Sequence, residues 1–192
     1  MGGSQSYPGL TEDLLEDYKT LTYLSKGEIL HLMKKFYTIN PVKIQLDYYH
    51  RFTKEEILFK FAVLKNNPFL DRLFHIFSSK NDECFSFEDL LDLCSAMSPE
   101  CPAHVKAAWA FRIFDLDDDN QISDRDIMEI LDRLTYDPSN TENRLSEDEK
   151  SKIAGVILDE MKLDTSGSIG LSEFKIILAR LPEFEHSFYF KL

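Results

Sequence analysis

Asp115, Asp117, Asp119 and Asp126 stand at positions 1, 3, 5 and 12 of the stretch Asp115-Leu-Asp-Asp-Asp-Asn-Gln-Ile-Ser-Asp-Arg-Asp126. Carboxylates this close repel one another unless a cation lies between them. Hard divalent cations take oxygen ligands, and this spacing lets a short loop wrap such an ion. Gln121 at position 7 offers its main-chain carbonyl. Ser123 at position 9 reaches the ion directly or through a water. Position 6 needs a sharp turn, and Asn120 stands there in place of glycine. Asparagine takes the left-handed conformation more readily than most residues. Position 12 is Asp126 rather than Glu. One methylene shorter, it is less able to present both oxygens, which favours six-coordinate geometry and raises Mg²⁺ relative to Ca²⁺.

Helices must hold such a loop from both sides. Before it, Val105, Ala108, Trp109, Phe111, Ile113 and Phe114 give an apolar helical face. After it, Ile127, Ile130, Leu131 and Leu134 recur at helical spacing. Ile122 at position 8 is the apolar residue that pairs with a neighbouring loop. Together these make an EF-hand, and related units recur along the chain. In the fourth loop Gly167, Ile169 and Glu173 set positions 6, 8 and 12. Asp164, Ser166 and Ser168 then offer a weak second site with Glu173, but position 1 falls on Lys162. Its ammonium either sits near Asp164 and Glu173 as an internal counter-ion or swings to solvent. In the second loop, Ser78 to Asp89, position 8 is Phe85 and position 3 is Lys80. Of the ligand positions before the last, only position 5 carries a carboxylate, Asp82, so that hand is expected to pack without binding metal. Residues 38–56 are too long for a normal loop and hold few carboxylates, which makes the first hand degenerate as well. Ser25 with Glu28, Thr53 with Glu56 and Ser146 with Glu149 are spaced as capping boxes that open helices. Asn67-Pro-Phe69 opens another. Ahead of the first hand, Leu14, Leu15, Tyr18 and Leu21 form one side of an extra short helix over residues 11–23.

The expected fold is therefore all-α: two EF-hand lobes built from four helix-loop-helix units, the first two degenerate, with an extra N-terminal helix and a C-terminal tail. The lobes span residues 11–98 and 103–181, with Ser98-Pro-Glu-Cys-Pro102 as hinge. Residues 1–10 form a flexible tail. Residues 182–192 form an aromatic extension carrying Phe184, Phe188, Tyr189 and Phe190. It is either a lid that competes with an outside helix or a fixed part of the core. Net charge is −12 over 192 residues, which argues against nucleic-acid binding and suits cations and basic peptides. Apolar residues make up 43% of the chain, including 15 Phe, enough for substantial cores. Cys84, Cys94 and Cys101 form no disulfide framework, so a reducing interior is expected. No stretch approaches the roughly 20 apolar residues of a membrane span. Met-Gly2-Gly-Ser-Gln-Ser6 fits the N-myristoylation pattern, which would place the acyl group on Gly2. The histidines are scattered without zinc spacing, and Asp164-Thr-Ser-Gly is better explained by its EF frame than by an aspartic-protease loop. No enzyme activity is expected.

The chain resembles the calcium- and integrin-binding protein family. The stretches that carry the likeness are Tyr18-Lys-Thr-Leu-Thr-Tyr-Leu, Asn67-Pro-Phe69, Phe85-Ser-Phe-Glu-Asp-Leu-Leu-Asp, Ala110-Phe-Arg-Ile-Phe-Asp-Leu-Asp-Asp-Asp, Leu171-Ser-Glu-Phe and Pro182-Glu-Phe with Ser187-Phe188. The resemblance implies a small helical adaptor, often N-myristoylated, that binds hydrophobic cytoplasmic segments of membrane proteins. Those are notably integrin α-subunit tails and, for some members, mechanosensory channel subunits. It also implies Asp at position 12 of the third loop with Mg²⁺ tolerance, and a displaceable tail. The chain departs from the family pattern at Lys162, where an Asp is usual, and more mildly at Asn120.

On this reading the chain is a cytoplasmic, membrane-associating adaptor that holds Ca²⁺ or Mg²⁺ in its third hand. A helix with bulky apolar residues at i, i+3 and i+4 would enter a groove of the second lobe. Trp109, Phe111, Ile130, Leu131, Ile157, Phe174, Ile177 and Leu178 are the candidates for groove wall or core. The alternative is a regulatory subunit of an enzyme, in the manner of calcineurin B. That family typically fills four sites, against at most two here. A plain calcium buffer needs tight, filled sites, and this chain has one good loop.

Overall fold

The computed structural model describes residues 7–136, 145–161 and 167–181. Among them are ten α-helices and one 3-10 turn, with strand pairing confined to two isolated bridges. The all-α expectation holds. The chain divides into two compact units between Cys101 and Pro102.

In the first unit, α1 (Glu12–Leu21) is capped by Thr11, whose hydroxyl accepts from the Leu14 amide at 3.1 Å. Leu15 and Tyr18 go into the core, but Leu21 is 79% exposed. It is the last residue of the helix, where Thr22 turns the chain away through bonds to the Tyr18 carbonyl. The expected capping box opens α2 (Lys26–Tyr37), with the Ser25 amide 2.8 Å from a Glu28 oxygen. The long stretch after it is not bare loop. Asn40 and Pro41 start the short helix α3 (Pro41–Leu46), the asparagine as cap and the proline where its missing N–H costs nothing. The Thr53/Glu56 box then opens α4 (Lys54–Lys60), followed by a 3-10 turn (Ala62–Asn66) and α5 (Leu70–Phe77). Ser86 and Asp89 cap α6 (Phe87–Ala96).

The phenylalanines explain how these helices hold together. Phe52 and Phe85 pair as an antiparallel bridge, with N···O distances of 2.8 and 2.9 Å. Both rings are fully buried. Phe85 stacks on Phe74 with centroids 4.3 Å apart, and Phe52 meets Phe36 edge-on at 5.1 Å. The bridge thus ties the loop of the first hand to that of the second and places two large side chains in the core. Gly9 is required where it stands: its φ is 86°, and a Cβ there would lie 2.4 Å from the Tyr48 ring.

The second unit contains α7 (Ala103–Phe114), α8 (Asp124–Thr135), α9 (Glu147–Met161) and α10 (Leu171–Leu178). Its core gathers Ala110, Phe111, Ile122, Ile127, Ala154, Leu158, Ile169 and Phe174. Lys150 on α9 is nearly buried and holds Asp132 of α8 at 2.7 Å. No helix among the described residues is long and apolar enough to cross a membrane.

Removing the Phe85 ring takes away both the stack on Phe74 and the bridge side chain. Phe85→Ala should cost about 3–5 kcal/mol, whereas Leu21→Ala should cost no more than about 0.5 kcal/mol. Urea unfolding of the full chain measures both, and similar small losses would contradict this packing.

Candidate functional site

Asp115 follows the last residue of α7, and Asp126 sits in the first turn of α8. Each end of the acidic loop is therefore fixed to a helix. The loop's apolar position 8 pairs as its type predicts: Ile122 and Ile169 form an antiparallel bridge with both N···O distances 2.9 Å.

Main-chain amides then gather the carboxylates. Asp115 accepts from the amides of Asp119 at 3.1 Å and Asn120 at 3.0 Å. Asp126 accepts from the amides of Leu116 at 3.0 Å and Ser123 at 2.9 Å. The Ser123 hydroxyl also donates to Asp126, at 2.7 Å. Asp117 accepts from the Asp119 amide at 3.3 Å, and Asp119 from the Gln121 amide at 2.8 Å. The turn is left-handed at Asn120, with φ of 65°, and also at Asp118, with φ of 59°.

One carboxylate oxygen from each of Asp115, Asp117 and Asp126 lies within 4.8 Å of the others. Ligands 2.3–2.6 Å from a shared Ca²⁺ are at most about 5 Å apart, so this donor set fits a divalent cation. Asp119 stands outside the trio, with one oxygen turned to the Gln121 amide. The Ser123 hydroxyl, the position 9 candidate, is turned to Asp126. The Gln121 side chain accepts from Ser168 of the paired loop at 3.0 Å, leaving position 7 its main-chain oxygen. Burial raises the Asp115 carboxyl above its usual range; the Asn120 and Asp119 amides oppose the rise, and the charges of Asp119 and Asp118 add to it.

Of the weaker second set, Ser168 and Glu173 are described. Glu173 accepts from the Gly170 amide at 3.0 Å. Lys162, Asp164 and Ser166 lie outside the described residues, as do Gly2 and the aromatic extension.

Beside the acidic loop the second unit opens into an apolar cavity of about 380 Å³. Ile130, Leu131, Ile157, Phe174 and Leu178, five of the residues named as groove wall or core, line it. Three other candidates do not. Phe111 is buried in the core, edge-on to Phe174 at 5.6 Å. Trp109 is half-buried with Arg112 stacked over it at 4.9 Å. Ile177 packs against the core from outside the lining. In their place the wall includes Phe114, Leu134 and Met161. Each lies in the last turn of its helix, a position that could have singled them out. Sequence reasoning also passed over Arg51 in the first unit, whose guanidinium bonds Asp82 and Asp89 of the second loop. No local signal in the sequence marks it, because Asp82 and Asp89 lie 31 and 38 residues away and the bridge at the next residue, Phe52, is seen only in the fold.

The chain matches no protein-family model. It is similar along its length to curated proteins. Calcium and integrin-binding family member 2 of Drosophila melanogaster is 32% identical over 187 residues, covering 95% of this chain and 96% of that protein. Member 2 of Mus musculus is 29% identical over 195 aligned residues, covering all of both chains. Member 3 of Homo sapiens is 29% identical over the same span, again covering all of both. With matches of this extent and identity, the chain belongs to the calcium and integrin-binding family.

Proposed function

We propose that this chain is a divalent-cation-binding adaptor whose second unit grips an amphipathic helix from the cytoplasmic part of a membrane protein. The observation that carries the reading is the apolar cavity walled by α7 to α10 beside the acidic loop. Leu134 on its rim is 59% exposed, a position in which a large apolar side chain gains by being covered. A partner with bulky apolar residues at i, i+3 and i+4 matches such a groove. The relatives carry integrin binding in their names, which supports an integrin α tail or a similar segment as occupant.

Asp115, Asp117, Asp119 and Asp126, with the main-chain carbonyl of Gln121, would hold the ion. A bound divalent cation supplies the positive charge that lets these oxygens converge. Asp115 is fixed at the end of α7 and Asp126 at the start of α8. Drawing their carboxylates together therefore sets the angle between two helices that wall the groove. The short side chain of Asp126 favours Mg²⁺ relative to a Glu in its place. The fourth loop adds at most a weak site. The aromatic extension is a candidate lid over the groove, and an acyl group on Gly2 would bring the adaptor to a cytoplasmic membrane surface.

Titration calorimetry on the ion-free protein should find one divalent site, lost in Asp115→Ala. Asp126→Glu should raise the preference for Ca²⁺ over Mg²⁺ by about tenfold or more, equivalent to about 1.4 kcal/mol. A parent that binds no ion, or an unchanged preference, would count against the assignment. Leu131→Asp should weaken binding of an integrin α-tail helical peptide at least about tenfold, read by fluorescence anisotropy. Full affinity in that variant would place the partner elsewhere.

The raised Asp115 carboxyl has a consequence for the ion-free state. A carboxyl whose folded pKa lies above its unfolded value binds its proton more tightly when folded. The stability of the ion-free second unit should therefore gain a contribution as pH falls from neutrality toward about 4. Thermal unfolding in EDTA should show that contribution in the parent and not in Asp115→Asn. Identical pH profiles would contradict it.

A further inference from the structure

The second loop of the first unit, Ser78 to Asp89, has the same backbone as the acidic loop Asp115 to Asp126. At positions 4 and 6, Asn81 and Glu83 have φ of 53° and 54°, beside 59° and 65° for Asp118 and Asn120. The internal bonds also correspond. The position 2 amide reaches the position 12 carboxylate at 3.1 Å from Ser79 to Asp89, and at 3.0 Å from Leu116 to Asp126. The position 7 amide reaches the position 5 carboxylate at 3.0 Å from Cys84 to Asp82, and at 2.8 Å from Gln121 to Asp119. Position 9 meets position 12 at 2.8 Å between Ser86 and Asp89, and at 2.9 Å between Ser123 and Asp126. Although Lys80 takes the place of one ligand, the second loop is folded as an ion loop.

What lies inside it is a side chain. Arg51 sits at position 7 of the paired first loop, next to the bridging Phe52. Its Nη2 donates to Ser78 Oγ at 3.0 Å, to Asp82 Oδ1 at 2.8 Å and to the Cys84 carbonyl at 2.6 Å. Its Nη1 donates to Asp89 Oδ2 at 2.6 Å and to Ser79 Oγ at 2.9 Å, and its Nε to Asp82 Oδ2 at 3.1 Å. Ser78, Asp82, the Cys84 carbonyl and Asp89 are positions 1, 5, 7 and 12, the positions from which an EF-hand ligates its ion. An ordinary surface ion pair has no reason to collect a main-chain carbonyl and these particular side chains. The Arg51 side chain is only 12% exposed. A planar guanidinium with a fork of donors can serve several converging oxygens at once, which a single ammonium does less well.

We propose that Arg51 is the resident cation of the second hand, its guanidinium standing where a divalent ion would and entering from the paired loop. The first unit then keeps its ion-filled arrangement at any metal concentration, and the chain's response to Ca²⁺ or Mg²⁺ is confined to the second unit. The Arg51 guanidinium, with help from the Cys84 amide and the Ser78 hydroxyl, holds the Asp82 carboxyl well below the usual carboxylate range, as a bound cation would.

The test is the double variant Arg51→Ser with Lys80→Asp in the full chain. It removes the internal cation and restores a carboxylate at position 3. Native mass spectrometry should count one more bound Ca²⁺ than in the parent, whatever number the parent binds. In EDTA the unfolding midpoint of the first unit should fall by about 10 °C or more, and Ca²⁺ should recover most of the loss. A folded double variant with no added ion would overturn the proposal. The parent supplies an independent arm that does not need the variant to fold. The Arg51 Nε–H signal should be protected from solvent exchange in EDTA and unchanged at saturating Ca²⁺. Loss or displacement of that signal by Ca²⁺ would also overturn it.

Discussion

Carboxylates drawn into a tight turn repel one another, and an EF-hand can close only where positive charge answers them. In the first unit that charge comes from the chain. Lys43 on α3 meets the position 12 carboxylate of the first hand, Glu56, at 3.0 Å. Arg51 meets Asp82 and Asp89 of the second hand at 2.8 and 2.6 Å. The short helix α3 and the residues after it extend the first loop, and they are also what delivers both cations. The extra length and the loss of a ligand set are thus two sides of one arrangement. In the second unit, main-chain amides bring Asp115, Asp117 and Asp126 to the spacing of ligands around one ion.

The two units put their apolar residues to different uses. In the first, Phe36, Phe52, Phe74, Phe85 and Phe87 are all buried, and the bridge between Phe52 and Phe85 lies inside that aromatic cluster. In the second, the equivalent bridge joins the smaller Ile122 and Ile169, and both residues also line the open cavity. In the first unit an aromatic core surrounds the paired loops, and Arg51 is enclosed among the oxygens of the second. In the other, the acidic loop and an apolar cavity share helices α7 and α8. The adaptor role proposed above would use both, a part that stays folded and a part that takes a partner.

Local chemistry made much of this legible in the sequence. The Ser25, Thr53 and Ser146 boxes depend on residues three apart, and each forms as expected. The left-handed turn at Asn120 and the apolar bridge residue Ile122 also follow from loop positions alone. What was missed depends on three-dimensional neighbours. Arg51 is 38 residues from Asp89, and nothing local distinguishes it from a solvated arginine. Phe52 was hidden as a bridge residue because α3 lengthens the stretch before it. Helical spacing gave Phe111 and Phe114 similar prospects, yet Phe111 is core and Phe114 lines the cavity. Periodicity identifies an apolar face without saying which part another helix of the same unit covers.

On this account one loop answers divalent ions while its structural counterpart in the first unit is already filled by Arg51. Backbone amide NMR on the ion-free full chain, titrated with Ca²⁺, tests it most directly. The account predicts large shifts at Leu116, Asp119, Asn120 and Gln121, with Ser79, Asp82 and Cys84 unmoved. Comparable shifts in both loops, or shifts in the second loop alone, would contradict it.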